Sequence, residues 1–365
     1  MLDLAWIPAI FELLTPLYHR ISLPSASSAP DPRSDQEMLQ TETPTLSQIQ
    51  APIADRLDRV VDEFRRILVA DFEGVAEVNE YILQVRGKLF RPGLLLLCNE
   101  VGSEPTPEAD TLAAVIELIH LATLVHDDAV DHSVLRRGMP TVNALWSHQV
   151  SIIMGDYLYS RSISELARLG SVEPVRILAQ ASNSMSVGEM RQLASCDALD
   201  FSEADYYQLI QCKTASLISA ACELGAFAGN ASLREPLARF GNELGMAFQI
   251  ADDLLDYTAD EADIGKPSGL DLREHKVTLP LIAVLPELSR SERKRVEEFF
   301  ADPEPRDEEI AAIVEMVTRY GGLDYARGRA LAYAHAANEA LDGLPDGPPL
   351  RALRHSITYA IERRR

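Results

Sequence analysis

Cationic side chains are scarce in this 365-residue chain: 34 lysines and arginines stand against 56 aspartates and glutamates, a formal net charge of −22. So acidic a surface is repelled by a phosphate backbone, which excludes general nucleic-acid binding. It can hold a phosphate ligand only through metal ions or a local basic cluster. Cysteine is scarce too. Cys98, Cys196, Cys212 and Cys222 form no CxxC pair, and no histidine pair stands at zinc-ligand spacing beside them. They read as reduced structural thiols, and the protein as cytoplasmic. No uninterrupted apolar run reaches the ~20 residues needed to cross a bilayer, so no transmembrane segment is expected.

Basic residues are also missing from the start of the chain. Residues 1–20 are apolar-rich but contain Asp3 and Glu12, with nothing basic before Arg20. They fit neither a secretory signal nor an organelle transit peptide. Pro8 and Pro16 break the stretch, and residues 21–50, rich in Ser, Pro and Thr, lack helical periodicity. Residues 1–50 are therefore expected to be a largely flexible extension. Three roles fit it: a weak membrane-surface anchor that lacks a basic face, a dispensable appendage, or a leader before a true start at Met38.

Strand alternation is absent from the remainder, and helical periodicity is nearly continuous. Apolar positions recur at 3–4 spacing over 53–70, 88–102, 110–131, 144–169, 174–195, 203–229, 232–257, 278–301, 306–320, 323–342 and 348–362. Helix breakers separate these stretches, among them Gly102–Pro107, Gly170–Pro174 and Gly343–Pro349. Residues 51–365 are read as one all-α domain. The stretches 110–131 and 232–257 are apolar on almost every side and belong at its centre. Gly241 and Gly245, four apart in the second of these, suit close helix packing.

Both central helices end in the same pattern: Asp127, Asp128 and Asp131 in the first, Asp252, Asp253 and Asp256 in the second. The outer aspartates of each triplet lie about one turn apart on one face, and the middle one sits about 100° round the helix. A lone copy would be an ordinary solvated helix end, although acid there opposes the helix dipole. Two copies on the most apolar helices are different. If they face each other, six negative charges converge, which requires cations. Oxygen-only ligands suit Mg²⁺, held by carboxylates, waters and phosphate oxygens. Metal bridging thus lets an acidic protein hold a polyphosphate. Basic residues are interleaved with the triplets: Lys88 and Arg91 at a helix start, Arg136 and Arg137, Lys213, Lys266 and Lys276. Together they describe a site for two diphosphates, one reached through metal and one gripped by arginine and lysine.

The segments GKLFRP (87–92), ELIHLATLVHDDAVDHSVLRRGMPTVN (117–143), GEMRQL (188–193), KTASLISAACELGA (213–226), FGNELGMAFQIADDLLDYTAD (240–260) and GKPSGLDLREHKVTLPLI (265–282) occur in this order. In them the chain, from about residue 53 to its end, resembles the all-trans polyprenyl diphosphate synthases, which elongate isoprenoid chains head to tail. The resemblance implies an all-helical bundle around a deep central cavity, the isoprenoid synthase fold, usually as a homodimer. It implies that Asp127, Asp128, Asp131, Asp252, Asp253 and Asp256 hold Mg²⁺, three ions per active site, with Mn²⁺ as a substitute. Lys88, Arg91, His120 and Arg137 would bind isopentenyl diphosphate. Arg136, Lys213, Thr214, Gln249 and Lys266 would contact the allylic diphosphate. The family usually has glycine where this chain has His275, before Lys276.

Product length follows from Ala122 and Thr123, five and four residues before Asp127. In the family a bulky aromatic at these positions caps the tunnel, and here both are small. The expected product exceeds fifteen carbons and reaches thirty or more. The alternatives are a farnesyl or geranylgeranyl diphosphate synthase, a class I terpene cyclase, or a non-catalytic subunit of a heteromeric synthase. A cyclase normally lacks both the second aspartate triplet and the GKxxRP segment. A non-catalytic subunit would be expected to have lost aspartates.

Overall fold

A computed structural model of the protein describes residues 43–84, 87–195, 199–258 and 269–362. Lys266, most of the N-terminal extension and Met38 lie outside them. From Thr43 onward the chain forms one compact unit, which starts eight residues before the boundary expected at 51.

The difference has a local cause. Thr45 and Gln48 form a capping box that starts α1 (Leu46–Gln50), and Ile49 from that helix is 2% exposed. A 3₁₀ turn (Ala51–Ile53) leads to α2 (Ala54–Ile67), whose Leu57, Val60, Val61, Phe64 and Ile67 form one buried stripe. Then follow α3 (Glu73–Gln84), which the periodicity did not mark, α4 (Phe90–Glu100) and α5 (Pro107–Val130). Among the described residues the only strands are the two-residue pair Leu135–Arg136 and Met139–Pro140, a hairpin turning at Arg137 and Gly138. Next come α6 (Val142–Leu145), α7 (His148–Arg168), α8 (Val172–Ser195) and α9 (Glu203–Ile210). A π-turn over Gln211–Ala215 joins α9 to α10 (Ser216–Ala228). The remainder is α11 (Arg234–Thr258), α12 (Leu270–Arg273), α13 (Leu279–Val284), α14 (Arg290–Phe300), α15 (Asp307–Arg319), α16 (Gly322–Ala340) and α17 (Pro348–Glu362).

Three stretches read as single helices are broken. The stretch 144–169 is parted at Trp146 and Ser147, between α6 and α7, 203–229 carries the π-turn, and 278–301 is interrupted by a short 3₁₀ turn over Leu285–Glu287 that contains Pro286.

The bundle is built round α10, which packs against α4, α5, α8 and α11; α5 and α11, the bearers of the two triplets, hardly touch each other. Gly241 and Gly245 let α11 approach closely: a Cβ at 245 would lie 2.5 Å from Ala215 Cα. Helix α5 is long and apolar enough by length and composition to span a membrane, but it is interrupted by Glu117, and 72% of its most apolar stretch is buried inside the protein. Its apolar surface is taken up by α2, α4, α7 and α10.

Candidate active site

The first triplet closes α5. Asp127 is half-buried and Asp131 exposed, one turn apart, while Asp128 turns inward and is 5% exposed. Asp128 accepts from Arg136 Nε at 2.9 and 3.0 Å, so Arg136 braces the triplet from the hairpin. Burial pushes the Asp127 carboxyl up to about 6; Lys213 opposes the shift, and the charges of Glu189 and Asp131 add to it.

The second triplet closes α11 with the same division. Asp252 is exposed, Asp256 half-buried, and Asp253 7% exposed. Asp253 accepts from Tyr206 Oη at 2.6 Å and from Gln249 Nε2 at 2.8 Å. Gln249 in turn accepts from Thr214 Oγ1 at 2.7 Å. Asp256 takes the backbone N–H groups of Leu270 and Asp271 at 3.0 and 2.9 Å, which ties α11 to the start of α12. Burial carries the Asp253 carboxyl up to about 7 despite its two hydrogen bonds.

Against the second triplet lies a cavity of about 170 Å³ whose lining includes Lys213, Thr214, Gln249, Asp253, Asp271 and Lys276. Lys213 comes from the π-turn, which points it at Glu189 (2.7 Å) and Gln192 (2.8 Å) of α8 and within reach of the Asp127 charge. Lys276 pairs with Glu274 at 2.6 Å and lies 3.9 Å from Asp271. Burial lowers its pKa, yet the charges of Asp271, Glu274 and, across the cavity, Asp131 together carry it upward. Both lysines of this cavity thus lie within the field of the first triplet, Lys213 of Asp127 and Lys276 of Asp131.

His275 stands where the resemblance leads one to expect glycine, and its φ of +55° gives the reason: this is a left-handed position, held here by histidine packed on Phe299 and Phe300.

A second basic site opens beside α5. Arg91 on α4, Arg137 in the hairpin and His120 on α5 lie close enough for the two guanidinium charges to bear on the imidazole. Burial first, then Arg91, Arg137 and Arg136, drive the His120 pKa well down, so the ring is a neutral hydrogen-bonding group among cations. Arg137, at φ +52°, lies over Gly87, where a Cβ would stand 2.8 Å from Nη1. Lys88 is exposed at the same loop, and its carbonyl and that of Leu89 accept from Gln50 Nε2 at 3.0 and 3.3 Å. Glu117, 2% exposed, lies within the field of Arg91 and Arg137.

Ala122 is buried and Thr123 half-buried, its hydroxyl donating to the His120 carbonyl. His126 and His132 turn toward α7. The first reaches the Ile152 carbonyl and Asp156, and the second stacks on His148 at 5.5 Å.

The carboxylates accept a hard divalent cation chemically. They offer only oxygen, and burial without full compensation raises Asp127 and Asp253. Among the described residues no three carboxylates, imidazoles or thiols converge on one ligating point. Sequence reasoning missed Tyr206, Glu189, Gln192, Asp271, Glu117 and Gln50. Glu189, Gln192, Glu117 and Asp271 lie inside quoted segments. Tyr206 and Gln50 carry no local signal.

The sequence profile described as Polyprenyl synthetase matches residues 73–317. Heptaprenyl diphosphate synthase component 2 of Geobacillus stearothermophilus is 35% identical over 315 residues, covering 85% of this chain and 97% of that one. The crystal structure of a decaprenyl diphosphate synthase from Rhodobacter capsulatus superposes with a TM-score of 0.83 at 35% identity, covering 88% of this chain and all of that one. A polyprenyl synthase from Caulobacter crescentus, complexed with calcium and isoprenyl diphosphate, gives a TM-score of 0.83 at 31% identity over 89% of this chain and all of that one.

Proposed function

This chain belongs to the polyprenyl synthetase family and is a trans-prenyltransferase, and we propose that it joins isopentenyl diphosphate to an allylic diphosphate in the hollow between its two aspartate triplets. What supports the reading is the cavity against the second triplet: Lys213 and Lys276 line it with Asp253, and the two lysines lie within the fields of Asp127 and Asp131 at the end of α5. The outer aspartates Asp127, Asp131, Asp252 and Asp256 would hold Mg²⁺ ions, three per site, with Mn²⁺ able to replace them, while Asp128 and Asp253, expected from the resemblance as ligands too, are taken up by Arg136, Tyr206 and Gln249. When bound, the ions neutralise the allylic diphosphate and weaken its bond to carbon.

The chain's own residues do the rest. Lys213, Thr214, Gln249, Lys266 and, through Asp128, Arg136 hold the allylic diphosphate over the hollow. Lys88, Arg91, Arg137 and the neutral His120 grip the second diphosphate, presenting its double bond to the allylic carbon. The allylic C–O bond breaks, a C–C bond forms, and the proton lost from the added unit leaves with the departing diphosphate. Closely packed helices exclude water, which would otherwise capture the cation.

The product is a long chain, of thirty carbons or more. Small side chains at Ala122 and Thr123 favour it, as do the heptaprenyl and decaprenyl synthases among the similar proteins. The protein acts in the cytoplasm as a homodimer. The apolar side chains Ile153 and Leu135, each 61% exposed, support this. Incubation with Mg²⁺, isopentenyl diphosphate and labelled farnesyl diphosphate, followed by chromatography of the dephosphorylated product, tests the reading. A ladder ending at or beyond thirty carbons is expected, and chelation abolishes it. Cyclic hydrocarbon, or no product from the chain alone, rejects it in favour of a cyclase or a non-catalytic subunit.

A further inference from the structure

We propose that Tyr206 is a positioning residue for the second aspartate triplet: through its bond to Asp253 it fixes the rotation of the end of α11 and with it the placing of Asp252 and Asp256.

The geometry is specific. A capping box between Ser202 and Asp205 starts α9 and turns Tyr206 inward, where it is 2% exposed. Its hydroxyl donates to Asp253 Oδ2 at 2.6 Å, and Gln249 donates to the other oxygen at 2.8 Å. Both oxygens of the middle aspartate are thus engaged by protein, on a side chain about 100° round the helix from Asp252 and about 60° from Asp256. Asp253 is in this respect the counterpart of Asp128, which Arg136 braces on the other wall.

Tyr206 is itself held. Its ring packs edge-on to Tyr207 at 5.7 Å, and Tyr207 donates to Glu203 at 2.6 Å and accepts from Arg329 Nε at 2.8 Å. Tyr325 bonds the same Glu203 at 2.9 Å. The Tyr207 bonds tie α9 to α16, whereas the Tyr206 hydroxyl alone reaches the triplet, and a hydrogen bond behind a metal site typically changes metal affinity 10–100-fold.

The inference rests on the proposed Mg²⁺–diphosphate reading, and the test separates the two. Binding of inorganic diphosphate to the full chain is followed by calorimetry over a series of Mg²⁺ concentrations, with melting temperature and steady-state kinetics beside it. Tyr206→Phe is expected to raise the Mg²⁺ concentration for half-maximal diphosphate binding about tenfold, with a smaller fall in kcat at saturating Mg²⁺. Tyr207→Phe, which removes a neighbouring hydroxyl not bonded to Asp253, lowers the melting temperature only. Asp253→Asn shifts the Mg²⁺ requirement like Tyr206→Phe, and the double variant adds little, because both act on one bond. Asp252→Asn loses Mg²⁺-dependent diphosphate binding by 100-fold or more. A Mg²⁺ requirement unmoved in Tyr206→Phe, or moved equally in Tyr207→Phe, overturns the positioning role. So does Asp253→Asn as damaging as Asp252→Asn. Diphosphate held without Mg²⁺ at the Arg91–Arg137 site is common to all variants; should the wild type show no component of binding that requires Mg²⁺, the functional reading beneath it falls instead.

Discussion

Replacing Gly245 by alanine adds one methyl group at the contact between α11 and the π-turn that carries Lys213 and Thr214. The new Cβ would stand 2.5 Å from Ala215 Cα and 2.8 Å from Ala215 Cβ, where ordinary contact lies at 3.4–4 Å. Neither obstacle can swing aside, since one is backbone and the other the first side-chain carbon, so the two segments must separate by about 1 Å. Overpacking of this kind costs about 1–3 kcal/mol, and the rigid obstacle argues for the upper end. The better helix propensity of alanine returns about 1 kcal/mol. A net loss of about 2 kcal/mol lowers the melting temperature by about 5 °C for a chain of this size. The same displacement parts Thr214 from Gln249, now 2.7 Å apart, and misplaces Lys213. An error of about 1 Å in a positioned site costs about 100-fold in rate. Gly328→Ala provides the opposite sign. It lies on exposed α16 with nothing within 4 Å of a new Cβ, so it gains up to about 1 kcal/mol and leaves the rate alone. The measurements are thermal unfolding and the elongation rate of both variants. Gly245→Ala melting no lower than Gly328→Ala, with wild-type rate, would show that α11 and the π-turn are not held as described.

Shortening the chain to begin at residue 51 removes the buried Ile49 and the Gln50 bonds to the Lys88 and Leu89 carbonyls. A loss of about 3 kcal/mol is expected in thermal unfolding, together with a higher KM for isopentenyl diphosphate, whereas a chain beginning at Met38 keeps both values. Equal melting of the two shortened chains would refute this. Ala122→Phe is expected to shorten the product ladder; an unchanged ladder from a folded variant removes the basis for a tunnel on that side of α5. At the surface, hydrogen bonds from Arg176 and then Arg234 hold the Glu173 carboxyl down at about 2 against an ordinary 4.5. A depressed pKa means that the unfolded chain binds this proton first. The stabilisation is therefore complete above pH 4.5 and disappears as pH falls toward 2. Glu173→Gln should flatten the acid limb of melting temperature against pH, and an identical limb would count against the cluster.

The helical class and the two triplets were legible because both are local. An apolar period near 3.6 declares a helix, and acids four residues apart share a face wherever that helix lies. The same periodicity failed at Gln211–Ala215, where the apolar pattern continues through a π-turn. It failed also at 43–50, where Thr45, Gln48 and Ile49 form too short a segment to show a period. Tyr206 was invisible because its partner is 47 residues away. Asp271 and Glu117 stood inside recognisable segments, but nothing in their spacing said that they would be buried among other charges.

Taken alone, then, the order of residues settles what is periodic or adjacent: helices, the outer aspartates of each triplet, the basic loops beside them and, through these, the family. Only packing decides which carboxylates remain open to a ligand. Asp128 and Asp253 carry the same charge as their neighbours, yet α5 and α11 turn them inward to Arg136, Tyr206 and Gln249. A hydrogen bond between distant segments exists only when the chain between them has folded, and no pattern within either segment encodes it.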